Sequence, residues 1–335
     1  MKYRAVVIGT GRIGYLLQKD KKREQPASHS SAIAANKHLD LVAGCDIDSE
    51  KLGLWQKDYP RAGIYSSATE LMLKECPDIV AIAVSEQAHL EVTLTVIKQK
   101  PKLIILEKPV SPNLREAKKI ARACQKYNVP VCINHERRFS EDYRLAKELI
   151  KKQEIGELHA IYAHLWSGNT VWEKSCKKDG SCALIHDGTH LLDILHFMLE
   201  EKLNKPNFDK IIKNKKGKVI SLFLHYHLTK NKILYLDISG NKSLFDFDID
   251  FHAQRGRLKI GNGYFKLYKR APSPYYTGFY SLKRDKRFKR PQKTGYFSNM
   301  VNNCVAFLDG KEDLISPLKQ GILSLKVLYK IVEKL

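Results

Sequence analysis

The run Tyr3-Arg4-Ala5-Val6-Val7-Ile8-Gly9-Thr10-Gly11-Arg12-Ile13-Gly14 decides the fold. Its first six residues read as a short strand, and they stop at a glycine turn. Gly9, Gly11 and Gly14 are spaced G-x-G-x-x-G around Thr10, Arg12 and Ile13. That spacing suits a tight turn, close approach of the backbone to a pyrophosphate, and close helix–strand contact, with amide donors and a positive dipole behind it. Alone the pattern is common. At the end of a first strand, inside a strand–helix–strand alternation, it points to a dinucleotide.

The alternation continues downstream. Strand signals at Leu39–Cys45, Ile79–Val84, Leu103–Leu106 and Val129–Ile133 are separated by helical patterns at Ala68–Lys74, His89–Lys98 and Pro112–Tyr127. This is the mark of a doubly wound parallel sheet. Ser111 is the expected N-cap of the last helix, with Pro112 at its first position. After Ile133 the pattern changes. A helix over Glu141–Lys151 is followed by alternating runs at His159–Trp166, Val219–Leu228, Lys232–Ser239, Ser243–Phe251 and Arg257–Ile260. These predict an antiparallel sheet with turns at Lys230–Asn231 and Gly240–Asn241. A helix is expected over Cys182–Met198, and a terminal pair near Met300–Leu308 and Pro317–Lys334. The basic stretch Lys283–Arg290 reads as a solvated loop.

Composition narrows the function classes. A chain of 335 residues fits two domains, at the usual ~150 residues each. With 43% hydrophobic and 28% charged residues it buries a real core, which excludes a disordered chain. The formal net charge of +22 invites a nucleic-acid reading. The cations, however, are 43 Lys and 15 Arg scattered along the chain, whereas recognition of phosphate and base edges favours clustered Arg. Nucleic acid is therefore not an expected partner. No stretch approaches the ~18–20 apolar residues of a membrane span, and the N-terminal run lacks the apolar core of a secretion signal. Seven cysteines without CxxC spacing suggest the buried thiols of a reduced, cytoplasmic protein.

A carboxylate for the ribose should end the second strand, ~20 residues after the glycines. Asp46 ends that strand but lies 32 residues beyond Gly14. The excess falls in the polar stretch Lys19–Ser28, which reads as an insertion before a helix resumes at Ser30–Asn36. A carboxylate at Asp46 accepts both ribose hydroxyls and repels a 2′-phosphate, and Ile47 rather than an Arg follows it. NAD is expected over NADP. Glu107-Lys108-Pro109 ends the fourth strand, on the sheet edge where such folds take ligands. A lysine there can hold a substrate hydroxyl and share its proton.

Taken together these motifs resemble the Gfo/Idh/MocA family (glucose–fructose oxidoreductase, inositol dehydrogenase, rhizopine catabolism). The matching residues are GTGRIG at 9–14, AGCDID at 43–48, AIAVSEQAH at 81–89, LEKPV at 106–110, NHERRF at 134–139, IGELHA at 155–160 and HDGTHLLDIL at 186–195. QRGRLKI at 254–260 and AFLDGKEDLISPL at 306–318 fit as well. The resemblance implies an α/β fold, with a Rossmann domain over 1–128 followed by an α+β domain over 129–335 built on a large, mostly antiparallel open sheet. It implies that Lys108 and His190 flank the carbon that exchanges hydride, and that the Lys108–Pro109 bond is cis. Glu107, Ser85 and His89 would lie at the cofactor, and Asn134 and Arg137 would shape the substrate cleft. Trp166 would floor a sugar ring or pack in the core. Another copy of the chain would pack on the open sheet, giving a homodimer or homotetramer.

One helix departs from the family pattern. His186, Asp187 and His190 share a face at spacings of three and four, and Asp193 is placed to orient His190. Many members carry an Asp where this chain has His186. Here the acid is Asp187, rotated about 100° around a helix. Either His186 or Asp187 then supplies the polar contact to substrate. Two histidines four apart also match half of a zinc site, but the HExxH glutamate and a third ligand are missing, so no metal is expected. The expectation is an NAD-dependent oxidoreductase acting on a secondary hydroxyl or ketone of a sugar, polyol or nucleotide sugar. The alternatives are NAD-dependent glycoside cleavage or epimerisation without net redox, and a non-catalytic dinucleotide-sensing or nucleic-acid-associated protein.

Overall fold

The computed structural model describes residues 2–173, 175–176 and 182–335. The chain divides into two compact units, Met1–Ser140 with Gly295–Leu325, and Glu141–Thr294 with Lys326–Leu335.

In the first unit, strands β1 (Tyr3–Ile8), β2 (Leu39–Cys45), β3 (Gly63–Tyr65), β4 (Ile79–Ile82), β5 (Leu103–Leu106) and β6 (Val131–Ile133) form one parallel sheet in the order β3-β2-β1-β4-β5-β6. The order reverses between β1 and β4, and the crevice beyond the strand ends at such a switch point is where doubly wound sheets take ligands. Helices α1 (His29–Ala35), α2 (Ser49–Asp58), α3 (Ala68–Glu75), α4 (His89–Ile97) and α5 (Leu114–Tyr127) alternate with the strands. Every residue of β4 and β5 is buried, the signature of a sheet covered on both faces. The pair α2 and β3 escaped the sequence pattern because α2 buries only Leu52 and Trp55 and β3 has three residues.

Two boundaries move. Asn113, not Ser111, caps α5. Its side-chain oxygen accepts the Glu116 amide at 2.9 Å and its amide reaches back to the Glu116 carboxylate at 2.9 Å. Ser111 instead bonds the Asn113 carbonyl at 2.6 Å, and the residue before a proline is held out of the helical region. The second change is at the domain edge. β6 pairs with β5 from Ile104↔Val131 to Leu106↔Ile133, so the first unit runs past 128 to Ser140. A late helix, α9 (Tyr296–Leu308), belongs to the same unit. Its Phe297, Met300, Val301 and Cys304 share an apolar cluster with Ala5, Val7, Ile33 and Cys132. Local periodicity carries no trace of a return over that distance.

The insertion is bulged out of a continuing hydrogen-bond ladder. The His29 amide donates to the Ile13 carbonyl at 3.1 Å and the Ser30 amide to the Gly14 carbonyl at 3.0 Å. These partners are sixteen residues apart where an α-helix has four. The excess of twelve equals the amount by which Asp46 overshoots its usual spacing. The excursion begins earlier than Lys19, at Tyr15, and the helix resumes at His29 behind the N-cap Ser28. It is docked rather than free. Tyr15 is buried, and its hydroxyl contacts the Leu54 carbonyl and the Asp58 carboxylate, each at 2.9 Å. Glu24 accepts the Gly295 amide at 2.6 Å.

The second unit opens with α6 (Glu141–Lys151). Its sheet contains β7 (Leu158–Trp166), β8 (Asn207–Lys213), β9 (Val219–His227), β10 (Ile233–Ser239), β11 (Asp246–Ala253), β12 (Gly256–Gly261), β13 (Tyr264–Pro272) and β14 (Tyr280–Arg284). The order is β14-β13-β12-β11-β7-β10-β9-β8, antiparallel except for the parallel pair β7–β10. Lys230 and Asn231 both take positive φ, 54° and 56°, as a type I′ hairpin turn requires. β8, β13 and β14 extend the expected sheet at its two edges. Their lysine-rich, weakly alternating sequences guard against edge pairing and hide them from a search for apolar strands. Lys283 and Arg284 therefore lie in a strand, and only the remainder of the basic stretch is irregular.

Cys176 and Cys182 are joined by a disulfide across Cα atoms 5.6 Å apart. This corrects the expectation of thiols throughout, since six residues of separation suffice to bring two cysteines into bonding reach. Among the described residues, no helix is long and apolar enough to cross a membrane.

Candidate functional site

In the first unit the glycine turn is built as its spacing requires. Gly9 has φ +95°, and a Cβ on it would come within 2.6 Å of the Ala83 carbonyl. A Cβ on Gly14 would lie 1.8 Å from the Gly9 oxygen, whereas one on Gly11 would meet nothing within 4 Å. Gly9 and Gly14 are thus needed for packing, and Gly11 leaves an open cradle of the kind a pyrophosphate fills. Arg12 is exposed beside it, and Ile13 packs on the apolar cluster.

Asp46 is tied to this turn. Its Oδ2 accepts the Thr10 amide at 2.7 Å and the Thr10 hydroxyl at 3.2 Å, and its Oδ1 accepts the Asp48 amide at 3.0 Å. Looping out the insertion therefore leaves the acid in place at the end of β2. Ile47, next to it, is 94% exposed.

Glu107 leaves β5 into a buried site. Its Oε1 accepts His29 Nε2 at 2.7 Å and Asn134 Nδ2 at 2.5 Å, while among the described residues Oε2 takes only the Lys108 amide at 3.3 Å. Burial pushes the Glu107 carboxyl up, but the hydrogen bonds from His29 and Asn134 and the neighbouring positive charge outweigh it, so the group is held below its usual range. The Lys108–Pro109 bond is cis, and Lys108 is half-buried.

His89 is buried, with Nδ1 at 2.9 Å from the Pro109 carbonyl and Nε2 at 3.2 Å from the Val84 carbonyl. It ties the loop after β4 to the turn after Lys108. Burial pushes its pKa down, against the opposing charge of Glu107 and the bond to Pro109. Ser85 is exposed at the start of a single 3-10 turn, Glu86–Ala88. Arg137 contacts Glu136 at 3.3 Å, and the buried Arg138 donates to the Ile315 carbonyl at 3.3 Å. His29 was absent from the sequence-derived set. It is 78 residues from Glu107, and its one visible signal was its place at the resumption of the helix.

In the second unit the expected single helix over Cys182–Met198 is two, α7 (Ala183–His186) and α8 (Gly188–Leu199), divided at Asp187. The two candidate residues His186 and Asp187 contact each other. His186 Nδ1 lies 2.9 Å from the Asp187 carboxylate, with the histidine exposed and the acid mostly buried. The His190 amide donates to the Asp187 carbonyl at 3.0 Å, which places the half-buried His190 at the start of α8 with Asp193 buried one turn on. Trp166 is half-buried and does not join the core. The alternation of β7 sends it outward with Tyr162 and His164, away from the buried Leu165, and its indole donates to Asp237 at 2.8 Å.

Comparison with known proteins fits this geometry. Residues 3–135 match the GFO_IDH_MocA family, described as "Oxidoreductase family, NAD-binding Rossmann fold". This N-terminal part of the chain is thus similar to the NAD-binding domain of those oxidoreductases. It is 24% identical over 216 residues to D-glucoside 3-dehydrogenase from Escherichia coli, covering 62% of this chain and 58% of that one. It is 26% identical over 203 residues to inositol 2-dehydrogenase from Salmonella typhimurium, covering 60% and 56%. The chain thus spans less than two thirds of either relative. A solved dehydrogenase from Chromobacterium violaceum shares the fold with a TM-score of 0.82 at 12% identity, over 100% of this chain and 95% of that one.

Proposed function

We propose that the protein is an NAD-dependent dehydrogenase or reductase of the CH–OH class, acting on a secondary hydroxyl or ketone of a sugar, polyol or nucleotide sugar. The carrying observation is the glycine turn, with Gly11 open and Asp46 anchored to Thr10 at 2.7 Å. Gly9 to Gly14 would hold the pyrophosphate. Asp46 would take the adenosine ribose hydroxyls and disfavour a 2′-phosphate, with exposed Ile47 against the adenine. Glu107 would accept a nicotinamide-ribose hydroxyl at Oε2. The bound nicotinamide supplies the hydride acceptor or donor.

This chain's own residues handle the proton. His190 removes it from the substrate hydroxyl as hydride leaves, and returns it in the reverse direction, since imidazole titrates near neutrality. Lys108 holds the same oxygen. Asp187, kept in place by His186, together with Asn134 and Arg137, would contact the other hydroxyls. The named relatives act on a glucoside and an inositol, which supports a polyhydroxylated substrate. The open face of the second sheet, with exposed Tyr162 and Tyr235 stacked at 5.2 Å, supports a homodimer or homotetramer. A cytoplasmic location, beside the cellular nicotinamide pool, completes the reading.

The test is a titration with NAD, NADH, NADP and NADPH, read by thermal stability and fluorescence. Selective stabilisation by NAD(H), lost in Asp46→Ala, is expected. No binding by any of the four, with no cofactor retained through purification, would end the oxidoreductase reading.

A further inference from the structure

We propose that His29 is a positioning residue for the cofactor site, holding the Glu107 carboxylate from behind so that one oxygen remains aimed at the ligand. The inference rests on the function proposed above. His29 is 0% exposed and Glu107 6%. The imidazole is fixed by an edge-to-face contact with Phe297, centroids 5.3 Å apart at 89°. Among the described residues its Nδ1 has no hydrogen-bond partner, so its one polar engagement there is Nε2 with Glu107.

A carboxylate only accepts, so Nε2 carries the proton and donates it. With Asn134 on the same atom, Oε1 is saturated. Among the described residues Oε2 keeps a single long bond and is the oxygen left for a hydroxyl. Asn134 Oδ1 is likewise buried without a partner, a second acceptor at the same strand ends. A buried carboxylate without a strong donor takes up a proton and becomes a poorer acceptor. His29 prevents this, and it reaches Glu107 because the twelve extra residues are bulged out upstream and the helix ladder resumes in register at its own amide.

Three variants test the assignment: His29→Phe, which keeps the ring packing without the donor; His29→Gln, which keeps a donor that does not titrate; and Glu107→Gln. NADH dissociation constants are measured by fluorescence between pH 5.5 and 8, alongside thermal midpoints. Wild type should show a flat profile. His29→Phe should bind about tenfold more weakly at the acid end than at pH 8, as expected if burial without the donor carries the Glu107 pKa about two units above its ordinary value. His29→Gln should restore most of the flat profile, and Glu107→Gln combined with His29→Phe should remove the slope. If His29→Phe cannot fold, His29→Asn, too short to span the 2.7 Å contact, replaces it. A flat profile in the donor-less variant, or a Gln variant as defective as Phe, overturns the assignment. Failure of the wild type to bind NADH would instead remove the functional reading. The His29–Glu107 pair would then be judged by whether the acid unfolding midpoint moves upward in His29→Phe.

Discussion

Two places in this chain depart from expected spacing, and they behave in opposite ways. Before α1, twelve extra residues change almost nothing downstream. The ladder from Ile13 and Gly14 closes onto His29 and Ser30, and Asp46 still meets Thr10. At 186–187 a carboxylate displaced by one position coincides with a helix divided in two. Length inserted between ladder partners costs little, because the entropy of closing a loop rises only logarithmically, ~0.6 kcal/mol per doubling. A shift of one residue within a helix turns a side chain by about 100°, so position there matters far more than length does in a loop.

The largest expected effect probes how rigid the glycine-turn end of the first region is. Gly14→Ala puts a Cβ 1.8 Å from the Gly9 oxygen. Backbone blocks that position, so a stability loss above about 3 kcal/mol and complete loss of NADH binding are expected in urea unfolding and fluorescence titration. A stable, binding-competent variant would show that the turn is softer than described.

Next comes the second region. His190→Ala should lower turnover by roughly 10²–10⁴-fold, the usual contribution of general acid–base catalysis, with NAD affinity unchanged. Near-full turnover would remove His190 from the proton path and leave the divided helix without a catalytic consequence.

Deleting residues 16–27 sharpens the contrast directly. Removal of twelve residues leaves His29 four places after Ile13, in helical register. The shortened chain should fold and bind NAD, with its circular dichroism retained and its thermal midpoint lowered by the loss of the Glu24 and Lys19 anchors. Loss of NAD binding in a folded deletion variant would mean the excursion is part of the cofactor site.

Acidification gives a graded effect. His89 and Glu107 both have folded pKa values below their ordinary 6.5 and 4.5. The unfolded chain therefore binds protons first as pH falls, and stability is lost on going down through those values. Thermal midpoints should fall from about pH 6.5 downward, and His89→Gln should flatten the upper part of that slope. A midpoint that rises on acidification would contradict both assignments. The smallest effect is expected for His186→Ala. The side chain is 55% exposed, so stability should change by no more than about 0.5 kcal/mol in the same assay. A larger loss would make the His186–Asp187 contact part of what sets the helix break.

Much of this was legible in the residues. The strands at Tyr3–Ile8, Leu39–Cys45 and Leu103–Leu106 carry apolar runs, broken only by Arg4 and Asp40, because most of a covered parallel sheet is buried, and their bounds coincide with the structure. The glycine turn and Asp46 were visible through local backbone chemistry. The outer strands β8, β13 and β14 were not, since strands at or next to an edge carry charge in place of apolar alternation. Nor was the break at Asp187, where the fold overrides a sequence that reads as one helix.

The sequence by itself determined what short-range physics encodes: where the chain turns, which strands are buried on both faces, and which acid ends the second of them. Only the tertiary structure decided that His29 meets Glu107, that Asp46 meets Thr10, and that Phe297 and Cys304 close the first core. Those contacts join residues up to three hundred positions apart, and nothing in a local pattern records a partner that the chain reaches only after folding.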